Sequence, residues 1–250
     1  MKTRFWRCAL AVAVGFLFPG WMTAQTGQTV KQESLTGMKL VWIPGGDFDM
    51  GHADRYPDEV PVHRVHVDGF WIGQTEVTQT HWDKVMMKLP SLHQGWDFPV
   101  ENISFEDVEA FIAELNRRTG QKFRLPNEAE WEYACRAGAA GDWYGELDGI
   151  AWYDKNADKK THLVGRKTPN AFNLYDMLGN VWEWCADFYG EKYYANSPAS
   201  NPQGPDSGAY RVVRGGSWNS PIQRVRAPSR FGYPPGSKFA FVGFRLVLAE

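Results

Sequence analysis

Alternating apolar and polar positions mark the first strands of the chain. Residues 40–43 form a continuous apolar run that residues 44–46 break, and residues 47–50 alternate. Residues 63–67 alternate again, and residues 70–72 continue the apolar signal. Alternation with a period of two, bounded by glycine and proline, is typical of strands. The pattern predicts an antiparallel meander in this part of the chain.

Three later stretches have the three- and four-residue apolar spacing of amphipathic helices. The predicted helices span residues 78–86, 104–120 and 127–138. Thr78 can cap the first helix, and Ser104 with Asp107 opens the second. Asn127 with Glu130 opens the third in the same way. Each of these two pairs is a capping box, in which Asp is a weaker partner than Glu.

The remainder of the chain is rich in turns. From Ala139 onward the apolar pieces are short, and closing strands are predicted only at 210–213 and 241–248. The composition includes 12 Trp, 25 Gly and 15 Pro, which indicates a turn-rich domain packed around large rings. A few helices on a small, mainly antiparallel sheet with long loops predict an α+β fold.

The N-terminus has the pattern of an export signal. Lys2, Arg4 and Arg7 precede a short apolar run at residues 9–18, and Ala24 offers a cleavage site. We therefore expect a signal peptide at residues 1–24 and a periplasmic or secreted protein. The apolar run is too short to span a bilayer comfortably, so no stable membrane span is expected after cleavage. A retained signal anchor is the open alternative.

The rest of the chain is expected to form one domain. Residues 25–37 are polar and without period, which predicts a tether, and residues 38–250 contain no linker that would divide them. The 27 basic and 29 acidic side chains form no run of one sign, which argues against a nucleic-acid partner. We expect a monomer whose partner is an exported protein or a small molecule.

Two cysteines follow the predicted signal peptide, Cys135 and Cys185. In an oxidising compartment they could form a disulfide bond. They could equally be two buried thiols that pack as small apolar side chains. The sequence leaves both possibilities open, because it does not give the distance between them.

An ordered set of motifs covers nearly all of residues 38–247. The motifs are MKLVWIPGG at 38–46, EVT at 76–78, PVENIS at 99–104, RLPNEAEWEYA at 124–134, GNVWEW at 179–184, RGGSW at 214–218 and GFR at 243–245. Together they resemble the formylglycine-generating enzyme family, also called sulfatase-modifying factors. The resemblance implies a fold related to C-type lectins. In the best-known members it implies oxidation of a sulfatase cysteine to formylglycine, with two enzyme cysteines that hold Cu(I).

The resemblance also indicates which chemistry this chain lacks. It matches Ser217 to the active-site serine and Trp182 to the tryptophan beside it, but Ser220 and Val225 stand where the two copper ligands are expected. No cysteine follows Cys185 in the chain. A serine hydroxyl is a hard donor that stays protonated near neutral pH, whereas Cu(I) prefers soft sulfur. Copper is therefore not expected here.

A calcium site is a further implication of the resemblance. The positions that match the family's ligands are Asp176, Gly179, Val181 and Glu183. All four can supply oxygen, which is the donor that Ca²⁺ accepts. In the alternative interpretation Glu183 pairs with an arginine and Asp176 caps a turn.

The C-terminal segment corresponds to the substrate face of the family. The residues expected to determine what is bound are Ser220, Pro221, Ile222, Gln223, Arg224, Tyr233 and Pro234. Six arginines alternate with aromatic residues in this segment, at positions 211, 214, 224, 226, 230 and 245. They could line a cationic groove for an anionic or peptide ligand, or they could pair with buried acids.

The chain keeps the motifs of the family scaffold but lacks the two copper-binding cysteines. This combination favours an exported accessory or binding protein that calcium stabilises. The alternative is an oxidative maturation enzyme, either a formylglycine-generating oxidase or a relative that works without cysteines. Members that lack the cysteine pair are implicated in periplasmic maturation of secreted metabolites. In such an enzyme carboxylates or Ser217 would transfer protons in the same cleft.

Overall fold

A computed structural model describes residues 29–249 of the chain. Within this range the protein has eleven strands and four α-helices, joined by long loops. The strands are β1 (Val30–Gln32), β2 (Lys39–Ile43), β3 (Gly46–Met50), β4 (His63–Val67), β5 (Phe70–Gly73), β6 (Phe123–Arg124), β7 (Trp182–Phe188), β8 (Arg211–Arg214), β9 (Arg230–Tyr233), β10 (Val242–Gly243) and β11 (Val247–Leu248). The helices are α1 (Gln79–Met86), α2 (Phe105–Thr119), α3 (Glu128–Arg136) and α4 (Leu147–Ile150). The predicted α+β class is confirmed.

The strands form three sheets. The first has the order β1-β2-β5-β11-β6, the second β10-β7-β8-β9, and the third pairs β3 with β4. All neighbours are antiparallel except β10 and β7, which run parallel. Val247 lies opposite both Ile72 and Arg124, so the last strand of the chain is inserted into the first sheet.

The predicted N-terminal strands exist, but the single meander is wrong. β2 pairs with β5, whereas β3 and β4 pair only with each other among the named strands. The chain turns at Pro44 and Gly45, where a Cβ on Gly45 would lie 2.9 Å from the Val67 carbonyl oxygen. This close crossing separates β3 from β2 and sends it into another sheet.

The three predicted helices are confirmed, together with their caps. Ser104 accepts a hydrogen bond from the Asp107 N–H, and the Asp107 carboxylate accepts one from the Ser104 N–H. Gly120 follows α2 with φ of +69°, the left-handed conformation that ends a helix. Val108 and Phe111 on α2 are fully buried, so this helix covers one face of the first sheet's core.

The segment predicted as a polar tether is partly folded against the domain. β1 adds an edge to the first sheet, with Val30 opposite Val41. Glu33 and Thr36 follow and are buried, and the Glu33 carboxylate accepts hydrogen bonds from the Leu35 and Thr36 N–H groups. The tether prediction failed there because polar side chains bond to their own turn, which leaves no apolar period. Residues 1–28, including the predicted signal peptide, lie outside the described range.

β7 is the main strand that the apolar pattern did not predict. Its first four residues are all buried, so the strand shows no alternation of apolar and polar positions. The predicted closing strand at 241–248 is divided into β10 and β11, because the residues between them run as irregular backbone. No helix within residues 29–249 is long and apolar enough to cross a membrane.

Candidate functional site

Two of the sequence motifs are adjacent at the centre of the second sheet. The Gly179 N–H donates to the Gly215 carbonyl at 3.0 Å, and the Trp218 N–H donates to the Asn180 carbonyl at 2.9 Å. These bonds tie the loop before β7 to the turn after β8. The backbone thus places Trp182 and Ser217 in neighbouring segments, as the resemblance implies.

A tight turn after β8 buries Ser217. Gly216 has φ of +78°, and a Cβ there would lie 2.9 Å from the Val225 side chain. Glycine is required at this position because the chain passes against residue 225 in a left-handed conformation. The turn leaves Ser217 fully buried, with its Oγ 3.0 Å from the Ser220 Oγ.

The Ser217 hydroxyl is held by other hydroxyl and amide groups. Its Oγ donates to Asn219 Oδ1 at 2.8 Å, and its N–H donates to Ser220 Oγ at 3.0 Å. Within residues 29–249 no imidazole or carboxylate lies in hydrogen-bond range of this hydroxyl. A serine requires such a base to act as a nucleophile. This arrangement therefore supports hydrogen bonding at Ser217 rather than covalent catalysis.

The two tryptophans of the motifs differ in exposure. Trp182 begins β7, is 5% exposed, and its N–H donates to the Phe241 carbonyl. Trp218 is half-buried, and its Nε1 donates to the Ala240 carbonyl at 2.9 Å. The edge of the Trp218 ring meets the His93 ring, with the centroids 5.6 Å apart. Trp218 is therefore the tryptophan that a ligand could contact.

Both described cysteines are free thiols in the core. Cys135 on α3 and Cys185 on β7 are fully buried, and neither forms a disulfide bond. Burial raises the pKa of each thiol above its usual value. Neither thiol can therefore ionise near neutral pH, and both pack as small apolar side chains. Of the two possibilities that the sequence left open, the structure has the buried thiols.

Asp176 lies where the resemblance places a calcium ligand. It is 1% exposed, with φ of +54°, and its Oδ2 accepts a hydrogen bond from the Gly165 N–H at 2.6 Å. Its Oδ1 is buried without a hydrogen-bond partner. Burial raises the pKa of Asp176 to about 6. A buried carboxylate oxygen without a partner is costly, so this atom fits a missing cation or donor.

Glu183 makes the arginine pair that was the alternative interpretation. Arg245 donates to both of its carboxylate oxygens, from Nε and Nη2, at 2.6 Å. The Trp131 Nε1 donates to Glu183 Oε2, also at 2.6 Å. One oxygen thus accepts two hydrogen bonds and the other one, which leaves Oε1 able to accept a further contact.

Glu76 belongs to the same buried group, although the sequence reasoning did not select it. It is fully buried, and its Oε1 accepts a hydrogen bond from the Asn180 Nδ2 at 3.0 Å. Its Oε2 has no partner. Burial, followed by the charges of Asp176 and Glu183, raises the pKa of Glu76 well above its usual value. A protonated Glu76 can donate to Asp176, so the two orphaned carboxylate oxygens can share either a proton or a cation, in a region that has Arg245 as its positive side chain.

The distances between these side chains do not by themselves form a metal centre. Within residues 29–249 no group of three or more His, Cys, Asp or Glu side chains is arranged to hold a metal ion. A calcium ion at this place would need backbone carbonyl oxygens to complete its coordination. The positions that the resemblance names for this, Gly179 and Val181, flank Asn180 in the same loop.

The predicted ligand-binding segment is mostly at the surface. Pro221 and Gln223 are exposed, and Ile222, Arg224 and Tyr233 are half-buried. Residues 222–224 form a short 3₁₀ turn. The Arg224 guanidinium lies 4.0 Å from the centre of the Tyr56 ring.

One member of the predicted segment is not at the surface. Ser220 is 5% exposed, and its hydroxyl faces Ser217. The sequence could not reveal this, because the burial follows from the turn that folds residue 220 back onto residue 217. Pro234, by contrast, is exposed beside Tyr233.

Most of the C-terminal arginines pair with buried acids, which was one of the two open alternatives. The pairs are Arg214 with Glu128 and Glu132, Arg226 with Glu59 and Asp142, Arg230 with Glu128, and Arg245 with Glu183. Arg211 packs over the Phe105 and Phe188 rings instead. Of the six, Arg224 is the arginine whose charge faces the surface of the predicted segment.

Two further residues near Trp218 were missed by the sequence reasoning. His93 contacts the Trp218 ring, and the fully buried Glu101 accepts hydrogen bonds from the loop that carries His93. Glu76 and Glu101 share a signal that could have revealed them. Each is an acid next to a valine in one of the family motifs, EVT or PVENIS. Acids inside apolar strings are seldom buried without a function or a partner.

Comparison with known proteins supports the family resemblance and the fold. Residues 25–250 match the family model described as the sulfatase-modifying factor enzyme 1-like domain. The chain is 30% identical to the formylglycine-generating enzyme of Streptomyces coelicolor, over 89% of this chain and 92% of that protein.

Two solved structures have closely similar folds. Treponema denticola variable protein 1 superimposes with a TM-score of 0.83 and 30% identity, covering 88% of this chain and 99% of the other. PvdO from Pseudomonas aeruginosa superimposes with a TM-score of 0.82 and 28% identity, covering 91% of this chain and all of the other. The similarity thus extends over almost the whole described domain.

Proposed function

The chain belongs to the sulfatase-modifying factor family, and from that membership we propose that it is an exported accessory protein that binds a ligand and does not oxidise thiols with copper. The ligand is an exported protein or a small molecule, held on the lectin-like scaffold. A shared fold does not fix a shared activity, so the site decides between binding and oxidation.

The absence of sulfur at the Ser217 turn carries the proposal. Ser220 and Val225 occupy the positions that the resemblance assigns to the copper ligands, and the Val225 side chain is fully buried. Cys135 and Cys185 are buried as protonated thiols. Since Cu(I) prefers thiolate ligands, these residues support a binding role rather than copper chemistry.

The exposed part of the same region supports a ligand site. Pro221, Gln223 and Arg224 lie on the surface beyond the buried serines, and Trp218 presents part of its ring. Aromatic faces beside a guanidinium group are a common recognition surface for planar or anionic groups.

Calcium is proposed as a structural ion in the loop before β7. Asp176 Oδ1 and Glu76 Oε2 are the orphaned acceptors that would hold it, with Glu183 and the carbonyl groups of Gly179 and Val181. Hard oxygen donors of this kind fit Ca²⁺. When bound, the ion would supply the positive charge that two buried carboxylates need.

Metal analysis of the purified exported chain tests the proposal. We expect about one calcium ion per chain and no stoichiometric copper after incubation with Cu(I). In the same preparation, a cysteine-containing sulfatase peptide should give no aldehyde and should cause no oxygen consumption. Stoichiometric Cu(I) or formation of the aldehyde would refute the proposed role.

Restoring sulfur gives a second test of the same argument. The double variant Ser220→Cys, Val225→Cys should bind Cu(I), because it returns two soft donors to the turn. The matched single variant Ser220→Cys should bind Cu(I) much more weakly, since one thiolate cannot form a two-ligand site. If the double variant folds but does not bind Cu(I), this turn does not correspond to the copper site of the family. The main support for the proposal would then be lost.

Export is tested by fractionating cells that express the full chain. A periplasmic or secreted product whose mass lacks residues 1–24 is the expected result. An intact chain in the membrane fraction would support the retained anchor instead. Either product can be used for the metal analysis, so the two tests remain independent.

The second candidate is an oxidative maturation enzyme that works without cysteines. It is favoured by the titratable pair that His93 and Glu101 form beside Trp218, because such a pair can move protons. A conversion assay on candidate exported substrates, with a His93→Gln control, distinguishes this activity from binding alone.

A further inference from the structure

Glu101 holds the loop that precedes it in the chain. Its side chain is fully buried, and a single oxygen, Oε1, accepts hydrogen bonds from the Leu92 N–H at 2.7 Å and the His93 N–H at 2.8 Å. The Glu101 N–H donates to the Ser91 Oγ at 3.2 Å. Two bonds to the carboxylate and one from the Glu101 backbone thus fix the loop around His93 to this residue.

The second oxygen of Glu101 is free inside the protein. Oε2 is buried and has no hydrogen-bond partner, and the same is true of His93 Nδ1. His93 Nδ1 lies 4.0 Å from Glu101 Oε1. One bridging water, or a small rotation of the imidazole, would join Nδ1 to this carboxylate.

The other ring nitrogen of His93 faces outward. The His93 side chain is 28% exposed, and within residues 29–249 its Nε2 makes no hydrogen bond. A carboxylate behind Nδ1 orients an imidazole and leaves Nε2 as the proton acceptor. Once Nδ1 is joined to the carboxylate, the two side chains have the arrangement of a general base with its orienting group.

The His93 ring packs against an aromatic side chain. The His93 and Trp218 rings are nearly perpendicular, at an interplanar angle of 84°, and the Trp218 ring is fixed through its Nε1 bond to the Ala240 carbonyl. On the same loop as His93, Leu92 is 66% exposed and Trp96 is 65% exposed. These side chains offer apolar area to a flat ligand.

The charges around the pair suit proton transfer. Burial raises the pKa of Glu101 to about 7. Burial, followed by the charge of Lys160, lowers the pKa of His93. Lys160 is the charged side chain that acts on His93. At Glu101, the hydrogen bonds from the Leu92 and His93 N–H groups lower the pKa and so oppose the effect of burial. Both shifts favour the uncharged forms, so the His93 imidazole is neutral and able to accept a proton, and the positive charge of Lys160 favours an anion formed beside it.

We propose that His93 Nε2, oriented by Glu101, accepts the proton of an aromatic hydroxyl group whose ring packs on Trp218. This inference rests on the proposed binding function and names the class of ligand for that site. In the step, the O–H bond of the phenol breaks, an N–H bond forms at His93 Nε2, and the phenolate remains beside Lys160. Aliphatic alcohols are excluded because their pKa lies too far above that of an imidazole.

The probe for this proposal is 4-nitrophenol, because its ionised form absorbs visible light and reports its own protonation. The chain should bind it, and the bound probe should ionise at a lower pH than the free probe. His93→Gln should weaken binding at least about tenfold and abolish the ionisation shift, because glutamine cannot take up the proton. His66→Gln, which changes an exposed histidine on β4, should leave both unchanged.

Glu101 is a positioning residue, so its test reads His93 rather than binding alone. Glu101→Gln keeps an oxygen that can accept the two loop N–H groups and removes only the negative charge. Nitrogen NMR of the neutral His93 ring should then show its proton moved from Nδ1 to Nε2, because a glutamine amide can donate to Nδ1 where the carboxylate can only accept from it. Near-ultraviolet circular dichroism checks that the tryptophan environment is intact.

Two results would overturn the inference. One is equal probe binding and ionisation in His93→Gln and the unaltered chain; the other is a neutral His93 ring whose proton stays on the same nitrogen in Glu101→Gln. Replacing the probe with N-acetyltyrosinamide distinguishes a free phenol from a tyrosine side chain as the source of the hydroxyl. None of these outcomes depends on copper or aldehyde formation, so failure here is separable from failure of the proposed function.

Discussion

Glu132 shows how single side chains keep charge inside this domain. It is fully buried on α3, and its carboxylate accepts hydrogen bonds from the Gly51 N–H at 3.0 Å, Arg136 Nε at 2.8 Å and Arg214. Burial alone would raise the pKa of Glu132, but Arg136 and Arg214 hold it below its usual value. The charge is therefore retained because both carboxylate oxygens accept hydrogen bonds and two of the donors are guanidinium groups.

Removing that charge should destabilise the whole domain. We expect Glu132→Gln to lower the free energy of unfolding by about 3–5 kcal/mol, because it leaves buried Arg136 without its anion and Arg214 with Glu128 alone. Urea unfolding followed by tryptophan fluorescence measures this. Glu114→Gln is the matched control, since the Glu114–Arg117 pair on α2 is exposed to solvent and should leave the unfolding midpoint unchanged. Equal midpoints for Glu132→Gln and the control would contradict the prediction.

Such contacts explain why the sequence left the role of the arginines open. Arg214 and Glu132 are 82 positions apart, and Arg226 and Glu59 are 167 apart. Spacing along the chain identifies partners only within a helix turn or a hairpin. The missed pair of His93 and Glu101 has another cause. It is local, but a loop histidine gives no sign that its Nδ1 is buried.

At the scale of elements, local chemistry predicted the helices well and the sheets poorly. Helix starts depend on a capping residue and its partner three positions later, both visible in the sequence. β7 was missed because a strand buried on both faces has no alternation. The candidate site depends on that strand, so its position followed from the family resemblance rather than from the pattern.

The first helix has a cap that depends on pH. The Thr78 N–H donates to His81 Nδ1 at 3.1 Å, and the His81 N–H donates to Thr78 Oγ1 at 3.2 Å. Burial, followed by the charge of Lys84, lowers the pKa of His81 to about 4. Below the ordinary histidine pKa of 6.5, His81 is protonated in the unfolded chain but stays neutral in the folded chain. The stability from this cap is therefore complete above about pH 6.5 and is lost as the pH falls towards about 4.

His81→Gln should remove that pH dependence. Glutamine at this helix position can complete a capping box and does not titrate. We expect the variant to match the unaltered chain at pH 7 and to be more stable at pH 5, by about 1–2 kcal/mol. Urea unfolding at both pH values is the measurement. A difference between the two proteins that is the same at pH 7 and pH 5 would exclude His81 as the titrating group.

Substitution of the glycine at one close backbone crossing should destabilise the domain strongly. Gly179 has φ of +78°, and a Cβ there would lie 2.2 Å from the Trp152 carbonyl oxygen. Gly138 has φ of +89° with nothing within 4 Å of a Cβ. Gly138→Ala should cost about 1–2 kcal/mol of stability from backbone strain alone. Gly179→Ala carries the same strain plus the clash.

The difference between those two variants isolates the clash. We expect Gly179→Ala to lower the free energy of unfolding by at least about 3 kcal/mol, measured by urea denaturation. Loss of soluble expression with normal expression of Gly138→Ala would also agree. If both variants lose the same stability, the approach of Trp152 to the loop before β7 is looser than the structure indicates.

At the scale of the whole molecule, the chain closes on itself through its last residues. β11 lies between β5 and β6, and Arg245, just before it, ties Glu183 to the Gly73 carbonyl. The α+β class was predictable from element types, but this closure was not, because pairing partners far apart in sequence leave no local pattern. The closure also brings Glu76 from the start of the domain to Asp176 from its middle.

Calcium should therefore stabilise the domain as a unit. The buried carboxylates of Glu76 and Asp176 come from segments about a hundred residues apart, each with an oxygen that lacks a partner. A cation that joins them binds the folded chain and not the unfolded one. At a hundredfold excess over its dissociation constant, such an ion adds about 2.7 kcal/mol to the free energy of unfolding, which for a domain of this size raises Tm by about 5–10 °C.

Differential scanning calorimetry with calcium and with a chelator should show this shift. Glu76→Gln and Asp176→Asn should each reduce it by more than half, whereas Asp68→Asn, at an exposed position, should retain it. An undiminished shift in Glu76→Gln would place the ion elsewhere and leave the two orphaned oxygens to water.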